Sequence, residues 1–364
     1  SYIVEAFAKA EYKSYILIDF NLVDQPVKEM FEHDLVDLKT FFMKLTTYYG
    51  VKLYERESLI IFDEVQLFPR ARSAIKYLVA DGRYDYIETG SLISIRENVK
   101  DILIPSEEDH VDMYPLDFEE FLWANGNDTM MDFIRDCYRK KAPLGQALHR
   151  KAMDLFRQYL IVGGMPQAVN AFVKHNDFDE VDRVKRRILN LYRDDIRKHA
   201  KGYEMKVEAI YDEIPSQMKN QNQHFKLSSL KQGARFDEYK DAMFWLSDAM
   251  IVNHCYNATE PTFGLNLNRD RTLKCYMGDP GLWTSHAFDE NGIVTGEVYK
   301  KLLLDKLEVN MGMVMENMVA QMLTASGHKL YFYSNSSRSD ASSRMEIDFL
   351  IAKSQISNRH NISP

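Results

Sequence analysis

Cysteine is scarce in this 364-residue sequence, and Cys137, Cys255 and Cys275 stand far apart with no CxxC spacing. That excludes a disulfide scaffold and a zinc ribbon, and leaves reduced core thiols of a cytoplasmic protein as the expectation. No apolar run approaches the roughly 20 residues that a membrane-spanning helix needs, so no membrane partner is expected. Glu5 and Lys9 interrupt the apolar pattern of the N-terminus and read against a signal peptide. Excess basic charge is lacking too. The net charge is −8, and no global positive field advertises nucleic acid. Low-complexity tracts and internal repeats are missing. Hydrophobic residues are plentiful at 45%, enough for the cores of two or three globular domains.

The most informative stretch is LIIFDEVQLF, residues 59–68. Its first four residues are apolar and read as a strand buried on both faces, as in a parallel sheet. Asp63 and Glu64 follow at the carboxyl end, where open α/β sheets place their ligands. A hydrophobic strand ending in Asp-Glu is the Walker B pattern of nucleoside-triphosphate hydrolases, with Asp63 holding Mg²⁺ and Glu64 orienting the attacking water. A strand followed by an acidic helix cap is the competing reading.

Ile3, Phe7 and Ala10 recur at helical spacing, and residues 15–20 then read as a strand ending near Asp19. A helix leading into a parallel strand is half of a βαβ unit. In P-loop proteins the turn before such a helix is Gly-x-x-x-x-Gly-Lys-Ser/Thr, its hydroxyl residue opening the helix. Ser1 occupies that place, as the hydroxyl ligand of Mg²⁺ and nucleotide or as a plain helix N-cap. The Gly-Lys is therefore expected just ahead of Ser1, and the 364 residues alone are expected to bind nucleotide poorly. A third strand, 84–89, ends in Thr89-Gly90-Ser91, two hydroxyls around a permissive glycine.

Strands at 15–20, 59–62 and 84–89, with a short one near 110–113, alternate with helices such as 70–80. This predicts a parallel sheet of βαβ units. Residues 128–213 read almost wholly as helix, over 128–141, 146–159 and 178–200, with Gly163-Gly164 and Pro166 breaking one connection. Residues 214–258 read as short helices followed by a strand, compatible with a winged helix. The last hundred residues mix strands (273–277, 329–334, 345–351) with a helix over 308–325. Between Arg183 and Lys201 eight residues are Lys or Arg, and Val181, Val184, Ile188 and Leu191 mark one apolar stripe. That helix presents either a solvated face or a nucleic-acid face.

Glu316 falls on the long helix, and the alternation in MEIDFLI puts Glu346 and Asp348 on the polar face of a strand. A helix Glu with a strand Asp is the first part of the PD-(D/E)XK nuclease pattern, in which carboxylates hold Mg²⁺ and a lysine supports the attacking water. The Glu-x-Lys strand that should follow is not seen, and Lys353 is poorly spaced for it. The alternative is a structural acidic edge on a degenerate nuclease fold.

Taken in order, IIFDEVQLFP, YIETGSLISI, MYPLDFEEFLWANG, YLIVGGMPQAV, LYRDDIRKHA, KCYMGDPGLW, GMVMENMVAQML and MEIDFLIAKS resemble a prokaryotic group of AAA+-type ATPases over nearly the whole chain. The resemblance implies an α/β fold: a P-loop NTPase parallel sheet, a helical lid, a winged-helix segment and a restriction-endonuclease-like α/β domain. The corresponding spans are 1–126, 127–213, 214–258 and 259–364. It implies Mg²⁺-dependent ATP hydrolysis, with ATP and Mg²⁺ as cofactors. Ser91 would be the polar sensor of the γ-phosphate, with Thr89 its alternate, and Arg193, in LYRDDI, a phosphate contact. Two other readings stand beside it: a DNA-binding or nuclease-like protein regulated by the ATPase domain, and a non-catalytic interaction module. DNA and a second copy of the chain are kept as candidate partners.

Overall fold

In a computed structural model, the described residues are 2–90, 108–219, 224–260, 264–266, 269–288, 311–335 and 345–352. They form two compact units, 1–112 and 113–364.

The first unit holds α1 (Tyr2–Glu11), β1 (Ser14–Asp19), α2 (Gln25–Glu29), α3 (Leu38–Tyr49), β2 (Ser58–Asp63), α4 (Pro69–Asp81) and β3 (Asp85–Glu88). The strands pair parallel in the order β1-β2-β3. Strand β2 is central and buried along its whole length. Successive side chains point to opposite faces. Leu59 and Ile61 therefore meet Ala8 of α1, while Ile60 and Phe62 join Phe31, Phe41, Leu45 and Leu78 on the other side. Burying both faces is why the strand reads as a continuous apolar run, each such side chain contributing roughly 1.5–3 kcal/mol. Asp37 caps α3 by accepting from the backbone N–H groups of Lys39 and Thr40. Pro69 opens α4, where its missing N–H costs nothing.

The strand expected near 110–113 does not form. Residues 109–113 are exposed chain, their backbone groups open to water instead of a ladder, with Val111 and Met113 largely solvent-facing.

The second unit is helical at first: α5 (Phe118–Ala124), α6 (Met130–Lys140), α7 (Gln146–Val162), α8 (Pro166–His175), α9 (Phe178–His199), α10 (Glu204–Lys219) and α11 (Phe236–Asp248). It continues with β4 (Val252–Ala258), β5 (Arg269–Met277), α12 (Pro280–Ala287), α13 (Met311–Ala325), β6 (Leu330–Asn335) and β7 (Met345–Leu350). Asp117 and Glu120 form a reciprocal capping box at the start of α5, which fixes where that helix begins. The sheet order is β5-β4-β6-β7. Strand β4 pairs antiparallel with β5 and parallel with β6. Segment 214–258 therefore does not end in a free-standing wing, because its strand is an inner member of the sheet of the following segment.

Helix α9 spends its basic charge internally. Arg183 pairs with Glu180, Arg186 with Asp182, Arg193 with Asp212 and Arg197 with Glu208. Lys185 is wholly buried and donates to the carbonyls of Ile161 (2.6 Å) and Gly281 (3.2 Å). The apolar stripe runs through Val181, Val184, Ile188, Leu189 and Ile196, whereas Leu191 faces solvent.

Candidate functional site

In the first unit the carboxyl ends of three parallel strands meet, with Asp19 in register with Asp63 and Phe62 with Glu88. Asp63 closes β2 and is buried. The Thr89 hydroxyl donates to Asp63 Oδ1. Backbone bonds brace the same corner: Thr89 N donates to the carbonyl of Phe62 (2.8 Å), Val65 N to that of Thr89 (3.2 Å) and Phe20 N to that of Asp63 (3.0 Å).

Glu64 follows with φ 54° and ψ 41°, a left-handed backbone unusual for a residue with a side chain. That turn points the chain out of the sheet and into a short 3₁₀ turn, Val65–Leu67. Gln66 in that turn is buried, and its Nε2 donates to Glu64 Oε2 at 2.6 Å. One hard carboxylate with a hydroxyl on it, beside a second carboxylate held by an amide, suits a magnesium-bound phosphate and an ordered water.

Behind β3, Arg72 of α4 is buried between two acids. It donates to Glu88 Oε2 at 2.5 Å and to Glu108 Oε2 at 2.8 Å. Burial pushes the Glu88 carboxyl up to about 7, against the pull of Arg72 and with the like charge of Glu108 adding to the rise. This triad is not visible as a motif, and Gln66, although it falls inside IIFDEVQLFP, carries no separate signal there.

Of the other expected site residues, Ser1 and Ser91 lie outside the described residues, as does Lys353. Arg193 belongs to the second unit, where it pairs with Asp212 (3.2 Å) and lies 5.5 Å over the ring of Tyr211.

Glu316, Glu346 and Asp348 lie around one lysine. Lys274 of β5 is buried, and its Nζ lies 3.1 Å from Asp348 Oδ1 and 3.6 Å from both Glu316 Oε2 and Glu346 Oε1. Tyr276 donates its hydroxyl to Glu316 Oε2 at 2.9 Å. Burial works to lower the pKa of Lys274, but Glu316, Asp348 and Glu346 together hold it above the usual lysine value. Among the described residues no group of three or more His, Cys, Asp or Glu is placed to hold a metal ion. Lys274 is the residue that sequence reading missed, and a lysine inside the apolar run LKCYM was its one local signal.

A further buried centre ties the second unit together. Asp279 accepts from Gly164 N (2.6 Å) and Leu282 N (2.7 Å), capping α12 while gripping the Gly163-Gly164 turn. Burial raises its pKa, opposed by those backbone N–H groups and by Lys185.

No curated protein matches this chain. A Walker-type ATPase of Pyrococcus abyssi is a similar solved structure at 13% identity, over 78% of this chain and 86% of that chain, with a TM-score of 0.42. Residues 153–291 match a family model described as a domain of unknown function (DUF8612). Residues 1–122 match the model of the AAA domain, which supports an AAA-type ATPase domain over that span.

Proposed function

We propose that the first unit binds ATP with Mg²⁺ and hydrolyses it at the carboxyl end of β2. The observation that carries this is the pair Asp63 and Glu64 beyond a buried parallel strand, one bonded by Thr89 and the other by Gln66. Mg²⁺-ATP, when bound, supplies a phosphoryl group already polarised for attack. Asp63 offers the oxygen donor that Mg²⁺ prefers, with Ser1 proposed as a second. Glu64 orients a water and takes up its proton as attack proceeds. Thr89 keeps the Asp63 carboxylate fixed, and Ser91 is proposed to sense the γ-phosphate. Arg193 already has a structural role on Asp212 and is left out of this site.

The test is Glu64→Gln in the complete gene product. The amide keeps the size and removes the charge, so Mg²⁺-ATP should bind about as in wild type. Turnover should fall about a hundredfold or more, the range a positioned base contributes. A variant that turns ATP over at the wild-type rate overturns the proposal.

A second reading, cleavage of DNA phosphodiesters by the second unit, is favoured by Glu316, Glu346, Asp348 and Lys274 sharing one site. Lys274 would supply the lysine that the sequence pattern lacks. Nicking of plasmid DNA with Mn²⁺, lost in both Asp348→Ala and Lys274→Ala, is its test. Equal nicking by the variants excludes it.

A further inference from the structure

We propose that Gln66 is the positioning residue of Glu64, holding the carboxylate in the one orientation that can meet the attacking water. This rests on the ATP-hydrolysis reading above. Glu64 sits on a left-handed backbone, φ 54°. For a residue with a side chain this backbone is unfavourable, and it persists only where the surroundings over-determine it. Here they do. Val65 N is held by the carbonyl of Thr89, and Leu67 N returns to the carbonyl of Glu64 at 2.9 Å. The strained turn brings Gln66, two residues on, back beside the Glu64 side chain. The 2.6 Å bond from Gln66 Nε2 to Glu64 Oε2 fixes that side chain's torsions.

The chemistry of the partner is informative. An ionised carboxylate only accepts, so the NH₂ end of the amide must face it. An amide holds the carboxylate without neutralising it. An arginine or lysine in its place would pair with the Glu64 charge and weaken it as a proton acceptor, and a carboxylate would repel it. Gln66 is only 6% exposed, so its own torsions are fixed by packing, as a positioning group requires. The bond uses one Glu64 oxygen and leaves the other to the water.

The experiment is a double-mutant cycle on the complete gene product, measuring Mg²⁺-ATP affinity and single-turnover hydrolysis. Gln66→Met keeps the length and removes the donor. A hydrogen bond to a charged group is worth about 1.5–3 kcal/mol, so hydrolysis should fall roughly ten- to a hundredfold. Nucleotide affinity should stay within about twofold. In the Glu64→Gln background, Gln66→Met should cause no further loss, because the group it positions is gone. An unchanged rate in Gln66→Met overturns the inference, and so does an equal loss in both backgrounds, which would mean a role unrelated to Glu64. If Gln66→Met fails to fold, Gln66→Asn, one methylene too short to reach, replaces it with the same expected loss. Should Glu64→Gln hydrolyse at the wild-type rate, the ATPase reading fails first and this inference with it. A defective Glu64→Gln beside a normal Gln66→Met removes this inference alone.

Discussion

Lys274 Nζ and Asp348 Oδ1 lie 3.1 Å apart across 74 residues of sequence, the closest of three carboxylates around one buried ammonium. The ammonium stands among these carboxylates where a metal ion would, with one positive charge against the two of Mg²⁺ or Ca²⁺. Lys274→Met keeps the length of the stem and removes the ammonium charge, whose Nζ also lies 5.3 Å from the ring centroid of Phe332. The carboxylates are partly exposed, so we expect a loss of about 1–3 kcal/mol, below the range for a fully buried broken pair. Millimolar Mg²⁺ or Ca²⁺ should then raise the melting temperature of the variant and leave wild type unmoved. Metal stabilisation of wild type would show that the triad holds an ion with Lys274 in place.

Buried Arg72 separates two half-buried acids, and its loss should destabilise the first unit in a pH-dependent way. Arg72→Met leaves Glu88 and Glu108 without their cation, costing about 3–5 kcal/mol near pH 8. The Glu88 pKa of about 7 is above its unfolded value, so its contribution is complete below about pH 4.5 and is lost as pH rises through 7. Without Arg72 that pKa climbs further. Urea midpoints should therefore show the variant closest to wild type near pH 5 and furthest from it near pH 8. Adding Glu88→Gln should flatten the difference. A pH-independent deficit would mean that Arg72 acts through packing alone.

Gly163→Ala should be among the most damaging single methyl additions in the second unit. The position has φ 78°, and a Cβ there would overlap the buried Asp279 carboxylate. Backbone strain and overpacking each cost on the order of 1–3 kcal/mol. Thermal unfolding should locate the loss in the unit that holds α7, α9 and α12. Gly145→Ala, where φ is 79° but the Cβ would meet nothing within 4 Å, is the control that carries the backbone term only.

Thr89→Val tests the other half of the proposed nucleotide site. The swap keeps the shape and removes the donor to Asp63 Oδ1. Asp63 should then be less well oriented, and the Mg²⁺ concentration for half-maximal ATP hydrolysis should rise several-fold. The rate at saturating Mg²⁺ should change much less. A lower plateau with an unchanged Mg²⁺ dependence would place Thr89 on the water or phosphate instead.

The strand before Asp63 and Glu64 was legible because burial on both faces demands a continuous apolar run. Helix α9 was legible from its period, although the period put Leu191 in the stripe where Leu189 and Ile196 carry it. The polar face of MEIDFLI was also readable, and Glu346 and Asp348 share one partner in Lys274. The partner of the strand that ends segment 214–258 was not legible, because pairing with β6 is decided by a strand some 75 residues further on.

Local order of residue types thus determined the elements and the two carboxylates at the end of β2. Periodicity and capping act within a few residues, and a sequence displays them directly. Which charges meet was decided only by the tertiary structure. Arg72 finds Glu108 36 positions away, and Lys185 finds the Gly281 carbonyl 96 positions away. The cations of the basic helix gave no sign that most were already engaged. Such pairings are fixed by how units of secondary structure pack, because a buried charge must find a partner wherever the fold supplies one, and that requirement leaves no mark on neighbouring residues.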